Sequence, residues 1–499
     1  MSKTKTKSKK EIRSLTKTLS VIALVILVVF VLFLHRMNVL PAKYFYLIVG
    51  VLGLLELFFL LLAFNRRIKI WVLILLDILF ILVVAVEGYG VYRLNQIYHF
   101  LDTGMKVEET TDYYYLAVNK ESKYNNVADI ENKVVYYYND VDDFDKLKQS
   151  VDNKVHVILN EVNNYSELME TIETDKEKII LINQSSYESI IEESQPDDIR
   201  EETIEPPEDN EVEEKYKILD KIELVKKIEV KENDEDITKN SFIVYLSGID
   251  TRSDKMPSRS LSDVNMLLIV NPKTRKILMV NVPRDYYIQL HGKTGLKDKL
   301  THAGINGGVA LSRATMQDIF GVEVDYYARV NFNAVIKLVD AVGGLTINSD
   351  VNYSFRCWTD RKCLIKPGDN NVNGKCALAF ARERHAYSTG DRHRGENQQQ
   401  VIQLIIDKLS SSKSLLTNYD KILSALNKSF ETDLSTNNIT SLIQFQISDM
   451  RGWEFERANV TGTDSMNYTY SFPKQQLYVM IPDQESIDAA KVKIEEVLK

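Results

Sequence analysis

The chain has 499 residues, enough for two or three domains with sizeable cores, and a formal net charge of -8. Residues 1–100 hold thirteen Lys and Arg against four Asp and Glu, a net of +9, which leaves -17 on everything that follows. A reader of DNA or RNA needs positive charge facing phosphates, so this acidic body excludes that class and no nucleic-acid partner is expected.

The basic end is also the apolar end. Leu19–Leu34, Tyr44–Phe64 and Ile70–Val86 are apolar runs near the ~20 residues that a helix needs to cross a bilayer. No small-residue cleavage site follows the first run and two more runs do, which favours anchoring helices over a removable signal peptide. The pattern predicts a basic tail over residues 1–18 and three transmembrane helices within 19–88. Lys3–Lys17 and the loop Asn65–Lys69, with Arg66, Arg67 and Lys69, carry the positive charge that marks cytoplasmic flanks. Three crossings then put everything beyond about Tyr89 outside the cell, as a multi-pass protein of the cell membrane. Glu56 and Asp77 lie within the spans, where a carboxyl is costly unless neutralised or paired, and they are read as holding the helices together.

Residues 101–235 read as a small α/β accessory domain. YYYLAV, KVVYYY and Lys178–Ile182 are rich in aromatic and β-branched residues, as strands are, while Asp143–Val151 and Tyr165–Ile172 have helical spacing. Glu188–Glu214 then holds thirteen carboxylates against Arg200 alone, with Pro196, Pro206 and Pro207, the composition of a solvated linker.

From residue 240 to 499 the chain reads as a layered α/β domain with a mixed central sheet. Ser241–Ile249, Val264–Val270 and Lys276–Val282 are near-continuous apolar runs, as expected of strands covered on both faces. Further strands at Asp325–Val330 and Leu345–Asn348 alternate with helices near Ala310–Phe320, Phe332–Val342, Lys375–Phe380 and Asp391–Leu409. Ligands of such domains bind where strands end. Asp250 follows the first strand, Asp263 precedes the second, and Arg284 with Asp285 closes the third. Carboxylates at such a rim suit Mg²⁺, with Mn²⁺ a possible substitute, because hard ions take oxygen ligands and share their waters with phosphates.

The second chemical signal is the run ARERHAYSTGDRHRGENQQ, which holds Arg382, Arg384, His385, Arg392, His393 and Arg394. The guanidinium fork matches phosphate oxygens two at a time. Asp391, Arg394 and Gln398 recur at i, i+3 and i+7, one face of a helix, a register that a merely soluble loop does not need. Cys357 and Cys363 bracket the short loop CWTDRKC and are expected to staple it, leaving Cys376 unpaired. No CxxC pair or His-rich spacing points to structural zinc.

These blocks resemble the LytR-CpsA-Psr family of the Gram-positive envelope over about Phe242–Lys499. The likeness rests on GIDTR, SDVNMLLIVNPKTRKI, VPRD, KLTHAG, DYYARVNF, LVDAVGG, NGKCALAFARER and GDRHRGENQQQVI, in that order. The three spans and the accessory unit resemble its CpsA branch, associated with capsule attachment. The resemblance implies an extracytoplasmic phosphotransferase that moves a capsular or teichoic-acid-like glycopolymer from undecaprenyl pyrophosphate to peptidoglycan. Asp250 and Asp263 would then hold Mg²⁺. Arg284, Arg382, Arg384 and Arg394 would hold the pyrophosphate, Asp391 and Gln398 would complete that shell, and Lys299 would join it. Where the family often has Arg two residues before the second aspartate this chain has Leu261, and Arg259 is the expected substitute. The partners implied are the lipid-linked glycan, peptidoglycan, membrane lipid and other membrane proteins of capsule synthesis. The polyprenyl tail needs an apolar tunnel, for which Phe332, Val335, Ile336 and Val339 are candidates. A scaffold or regulator of capsule synthesis, and a polyprenyl-pyrophosphate pyrophosphatase using water at the same site, are the alternatives.

Overall fold

The computed structural model describes residues 2–37, 40–65, 67–99, 109–139, 143–193, 216–227, 236–249, 256–411, 422, 425 and 429–499. The chain divides into two compact units, Met1–Gly104 with Thr436–Met450, and Met105–Ser435 with Arg451–Lys499.

In the first unit, Glu11–Arg36, Ala42–Phe64 and Ile70–Arg93 are three helical stretches long and apolar enough to cross a membrane. The first helix spans Ser2–Met37 and so begins well before the apolar run, because neither Gly nor Pro interrupts those residues. Pro41, at φ -53° and ψ 140°, caps the second helix, where its missing N–H costs nothing. Glu56, Asp77 and Glu87 turn into the bundle at 1%, 8% and 3% exposure, so their carboxyls avoid the lipid-facing surface. The helix Thr436–Asp449 groups with these spans, and Lys43 Nζ donates to the Ser448 carbonyl. Residues 436–450 therefore leave the domain that the sequence extends without a break from 240 to 499.

The accessory domain is a five-stranded sheet in the order Ile158–Val162, Val134–Tyr138, Ile179–Asn183, Glu109–Asn119, Tyr216–Lys227. Leu147 and Val151 of the helix Phe144–Asp152 pack on one face with Val135 and Leu181, and Leu168 and Ile172 of the helix Tyr165–Thr174 pack on the other with Ile180 and Ile182. The strands Ile158–Val162 and Tyr216–Lys227 escaped the sequence reading because both lie at sheet edges, where polar and charged residues interrupt the apolar pattern. The helix Gln184–Glu193 takes up the start of the segment read as linker, and residues 194–214 lie outside the described ones.

The second domain of this unit is built on a six-stranded mixed sheet in the order Phe430–Thr432, Tyr326–Asn331, Phe242–Ile249, Val264–Asn271, Lys276–Val282, Glu454–Asn459. Tyr326–Asn331 runs parallel to Phe242–Ile249, and Glu454–Asn459 parallel to Lys276–Val282, while the inner pairs are antiparallel. Side chains alternate between faces along each strand. Ile243 and Tyr245 face a core with Met316 and Phe320 of the kinked helix Ala303–Phe320 and Ile487 and Ile494 of the helix Gln484–Leu498. The opposite face is covered by the helices Phe332–Ala341, Gly374–Arg382 and Asp391–Ser410, which share a second core.

The disulfide differs from the expected pairing. Cys363 bonds Cys376, with Cα atoms 5.5 Å apart, and Cys357 is a buried free thiol. Cys357 and Cys363 do meet, but through the backbone, as Cys357 N–H donates to the Cys363 carbonyl at 3.0 Å in the small hairpin Phe355–Arg356 with Leu364–Ile365. Cys376, in the first turn of the helix Gly374–Arg382, comes to Cys363 from elsewhere in the fold. Burial first, then Glu383 and Asp360, pushes the Cys357 thiol up to about 12, so it is protonated at neutral pH. Native oxidised protein is expected to resist alkylation by iodoacetamide and to take up one label, at Cys357, after unfolding. Peptide mapping that links Cys357 to Cys363 would contradict the pairing seen here.

Candidate functional site

Strand register gathers the functional segments at one edge of the six-stranded sheet. Gly248 pairs with Val264, Asn265 with Val282 and Asn331 with Ile249. The chain therefore leaves Ile249, enters Val264, leaves Val282 and turns into Phe332 side by side. Asp263 N–H donates to the Gly248 carbonyl at 2.8 Å, which sets Asp263 beside the end of the strand Phe242–Ile249. Asp250 itself lies outside the described residues.

Helix Asp391–Ser410 closes the site from the other side. A Cβ on Gly395 would stand 2.2 Å from Asn281 Nδ2, so glycine there lets the helix lie directly on the strand Lys276–Val282. Gln399 Nε2 fixes the register, donating to the carbonyls of Met279 and Ala458 at 3.0 Å each. Asp391, Arg394 and Gln398 are thereby turned toward Arg284.

Between these elements is a cavity of about 770 Å³ with two kinds of wall. Its polar and charged lining includes Asp263, Arg284, Asp285, Lys299, Arg382, Arg384, Asp391, Arg394 and Gln398, and its apolar lining includes Leu246, Val330, Phe332, Val335, Leu378 and Ile405. Arg284 Nη1 meets Asp263 Oδ1 at 2.6 Å, Lys299 Nζ meets Asp285 Oδ1 at 3.2 Å, and Arg394 Nη2 meets Asp391 Oδ1 at 2.6 Å. Lys299 is 3% exposed, so its ammonium is spent inside the site rather than in solvent. Five cationic side chains face three carboxylates in this lining, an excess of positive charge held away from bulk water. That suits an anionic head group.

The turn after the helix Gly374–Arg382 presents the arginine pair. Glu383, 1% exposed, accepts from the backbone N–H groups of His385 at 2.9 Å and Ala386 at 3.1 Å, and also from that of Trp358. Residues on either side of an extended position share one side. Arg382 and Arg384 flank Glu383, at φ -69° and ψ 128°, and both line the cavity. The Arg382 guanidinium carbon lies 4.7 Å from the centroid of the Phe332 ring, so a charged and an apolar lining residue are in direct contact.

Not every basic residue of the run serves the cavity. Arg392 donates to the Gly462 carbonyl at 2.6 Å, and His393 stacks on Tyr387 with centroids 3.6 Å apart. Arg259 is buried at 4% exposure and its Nη1 donates to the Ile305 carbonyl at 3.1 Å; it is not part of the lining. Of the proposed tunnel residues Phe332 and Val335 line the cavity, whereas Val339 belongs to the second core and Ile336 is not in the lining. Sequence reading missed Thr359 and Tyr478. Tyr478 donates to Asp464 Oδ1 at 3.0 Å, and burial, then Asp464, Asp285 and Asp391, raise its pKa, so it stays a neutral phenol. No motif marks it, because it arrives on the hairpin Gly462–Tyr468 with Gln476–Pro482.

Fold and site together define a protein with three helices long and apolar enough to cross a membrane, an accessory domain, and an α/β domain whose cavity is lined by cationic and apolar side chains. The LytR_cpsA_psr family model matches residues 207–486, more than half of the chain, and the chain belongs to that family. Relatives include Biofilm regulatory protein A of Streptococcus mutans, 32% identical over 209 residues, covering 40% of this chain and 51% of that one. Another is the polyisoprenyl-teichoic acid–peptidoglycan teichoic acid transferase TagT of Bacillus subtilis, 34% identical over 234 residues, covering 44% of this chain and 71% of that one. The crystal structure of B. subtilis TagV matches with a TM-score of 0.44 and 25% identity, covering 52% of this chain and 98% of that one. The chain thus spans about half the length of the first relative.

Proposed function

We propose that this protein is an extracytoplasmic phosphotransferase that moves a capsular or teichoic-acid-like glycopolymer from undecaprenyl pyrophosphate to peptidoglycan. The observation that carries the reading is one cavity lined by five cationic side chains and by a set of apolar ones, which matches a pyrophosphate attached to a polyprenyl chain. The activity for which the TagT relative is named supports the class of reaction. The basic flanks of the spans support an outward-facing domain, and tethering keeps the enzyme beside a lipid that need not leave the bilayer.

Arg284, Arg382, Arg384, Arg394 and Lys299 bind pyrophosphate oxygens, while the apolar wall holds the start of the tail. The acceptor sugar hydroxyl attacks the glycan-side phosphorus. Its oxygen–phosphorus bond forms as the bridging bond breaks, the electron pair leaves with undecaprenyl phosphate, and the hydroxyl proton passes to water. The donor is already activated, so no nucleotide is required outside the cell. The side chains act by positioning and by neutralising the charge that develops on the oxygens. The carboxylate oxygens of Asp263, at the same edge as the segment that continues into Asp250, are the donor type that Mg²⁺ takes, and the ion would add Lewis-acid neutralisation of the phosphoryl oxygens.

The test is transfer of labelled lipid-linked glycan by the full-length protein in detergent, with and without peptidoglycan fragments and with excess chelator. Acceptor-dependent product that the chelator removes is expected. Release of free glycan phosphate at the same rate without acceptor identifies a pyrophosphatase, and turnover unchanged by chelator rejects the metal.

A further inference from the structure

The loop that delivers Asp263 to the cavity is held by two domains in turn. Arg329 Nη2 donates to the Pro257 carbonyl at 2.9 Å, and the next residue, Ser258, is held from the accessory domain: its N–H donates to Asp112 Oδ1 at 3.1 Å and its hydroxyl to the same carboxylate. The carbonyl of Arg259 accepts from Ser185 Oγ, again from the accessory domain, while its guanidinium turns inward to Ile305. Ser260 returns to the catalytic side, with Arg329 Nη2 donating to its Oγ at 2.9 Å and its N–H donating to the Gly304 carbonyl at 3.3 Å. A Cβ on Gly304 would lie 2.0 Å from the Ser260 carbonyl oxygen, so glycine permits this approach. Ser262 N–H reaches the Thr301 carbonyl at 3.4 Å, and Asp263 follows, bound to Gly248 and Arg284.

Two of these attachments come from residues that nothing in the reaction uses. Asp112 is 2% exposed on the strand Glu109–Asn119, and Ser185 opens the helix Gln184–Glu193. A carboxylate buried this far is costly unless its oxygens find donors, and Ser258 gives it an N–H and an O–H. The contact therefore has energy enough to fix the backbone at Ser258, five residues before Asp263. Arg329 and Gly304 hold the neighbours on either side, and the middle of the loop depends on the accessory domain.

We propose that the accessory domain is a clamp on this loop, with Asp112 a positioning residue that acts through Ser258 to hold Asp263 against Arg284. The consequence for turnover rests on the transferase reading above; the consequence for loop order does not. A carboxylate displaced by about an ångström in a phosphoryl-transfer site costs on the order of 100-fold in rate.

The experiment uses the full-length protein in detergent and two variants, Asp112→Ala from the accessory side and Ser258→Ala from the catalytic side. Amide hydrogen exchange over residues 256–263 is expected to rise at least about tenfold in both, with the helix Asp391–Ser410 unchanged. Transfer is expected to fall about 100-fold in kcat for Asp112→Ala and about tenfold for Ser258→Ala, which keeps the backbone bond, with donor KM within about threefold in each. Asp112→Glu restores part of the rate and Asp112→Asn less. Ser258→Ala leaves the accessory domain intact, so it decides the matter if Asp112→Ala unfolds that domain. Unchanged exchange at 256–263 in folded Ser258→Ala overturns the clamp. Increased exchange in a chain that shows no transfer even as wild type rejects the transferase reading and leaves the clamp standing.

Discussion

Arg284→Ala is expected to lower acceptor-dependent transfer by about 100- to 1000-fold, the scale on which a preorganised donor acts on developing charge. Arg284 is the hinge of the charged wall, bound to Asp263 at 2.6 Å and within 3.9 Å of Asp285, and its side chain is 15% exposed. Under the proposed function, removing it takes a guanidinium from the pyrophosphate site, and it frees the carboxylate to which Arg284 is bound. Most of the loss should fall on kcat, because the remaining arginines still bind the ground-state donor. Arg284→Lys keeps the charge but not the fork, so it should recover only part of the rate. Both variants should unfold within a few degrees of wild type, since partly exposed pairs contribute little to stability. Steady-state kinetics with labelled lipid-linked glycan give the measurement, and full activity in Arg284→Ala would sink the pyrophosphate assignment.

Much of the site was legible because its parts are short segments placed by strand register. VPRD ends a buried strand, and a buried strand shows itself as an apolar run, so Arg284 could be put at a sheet edge without coordinates. The spacing of Asp391, Arg394 and Gln398 fixed a helix face, and all three line the cavity. What could not be read depends on contacts between distant segments. Asp112 and Ser258 are 146 residues apart, and an aspartate in a strand of threonines and tyrosines signals nothing alone. Cys363 found Cys376 rather than its neighbour in CWTDRKC because a helix end approached the hairpin, and local spacing carries no trace of that. Arg259 stood at a plausible distance from Asp263 but turns toward Ile305, since its direction is set by the kinked helix Ala303–Phe320 rather than by its place in the chain.

Behind the same loop is the ion pair on which the largest change in stability is expected. Arg329 Nη1 meets Glu431 Oε2 at 2.7 Å with both side chains nearly closed to solvent, 3% and 4% exposed, and Tyr327 donates to the other carboxylate oxygen at 3.0 Å. Glu431→Ala strands the guanidinium in the interior, which costs about 3–5 kcal/mol. At roughly 2–4 °C per kcal/mol for a domain of this size, unfolding should move down by about 10 °C, read by thermal scans in detergent. Replacing both partners, Arg329→Met with Glu431→Leu, removes the two buried charges together and should restore most of that stability. It cannot restore the bonds from Arg329 to Pro257 and Ser260. The double variant should therefore melt near the wild type and still transfer glycan at least about tenfold more slowly, because Asp263 has lost one of its supports. If rate returns together with stability, the pair only holds the edge strand Phe430–Thr432 in place. If stability returns alone, the ion pair is part of how this fold aims Asp263 at its substrate.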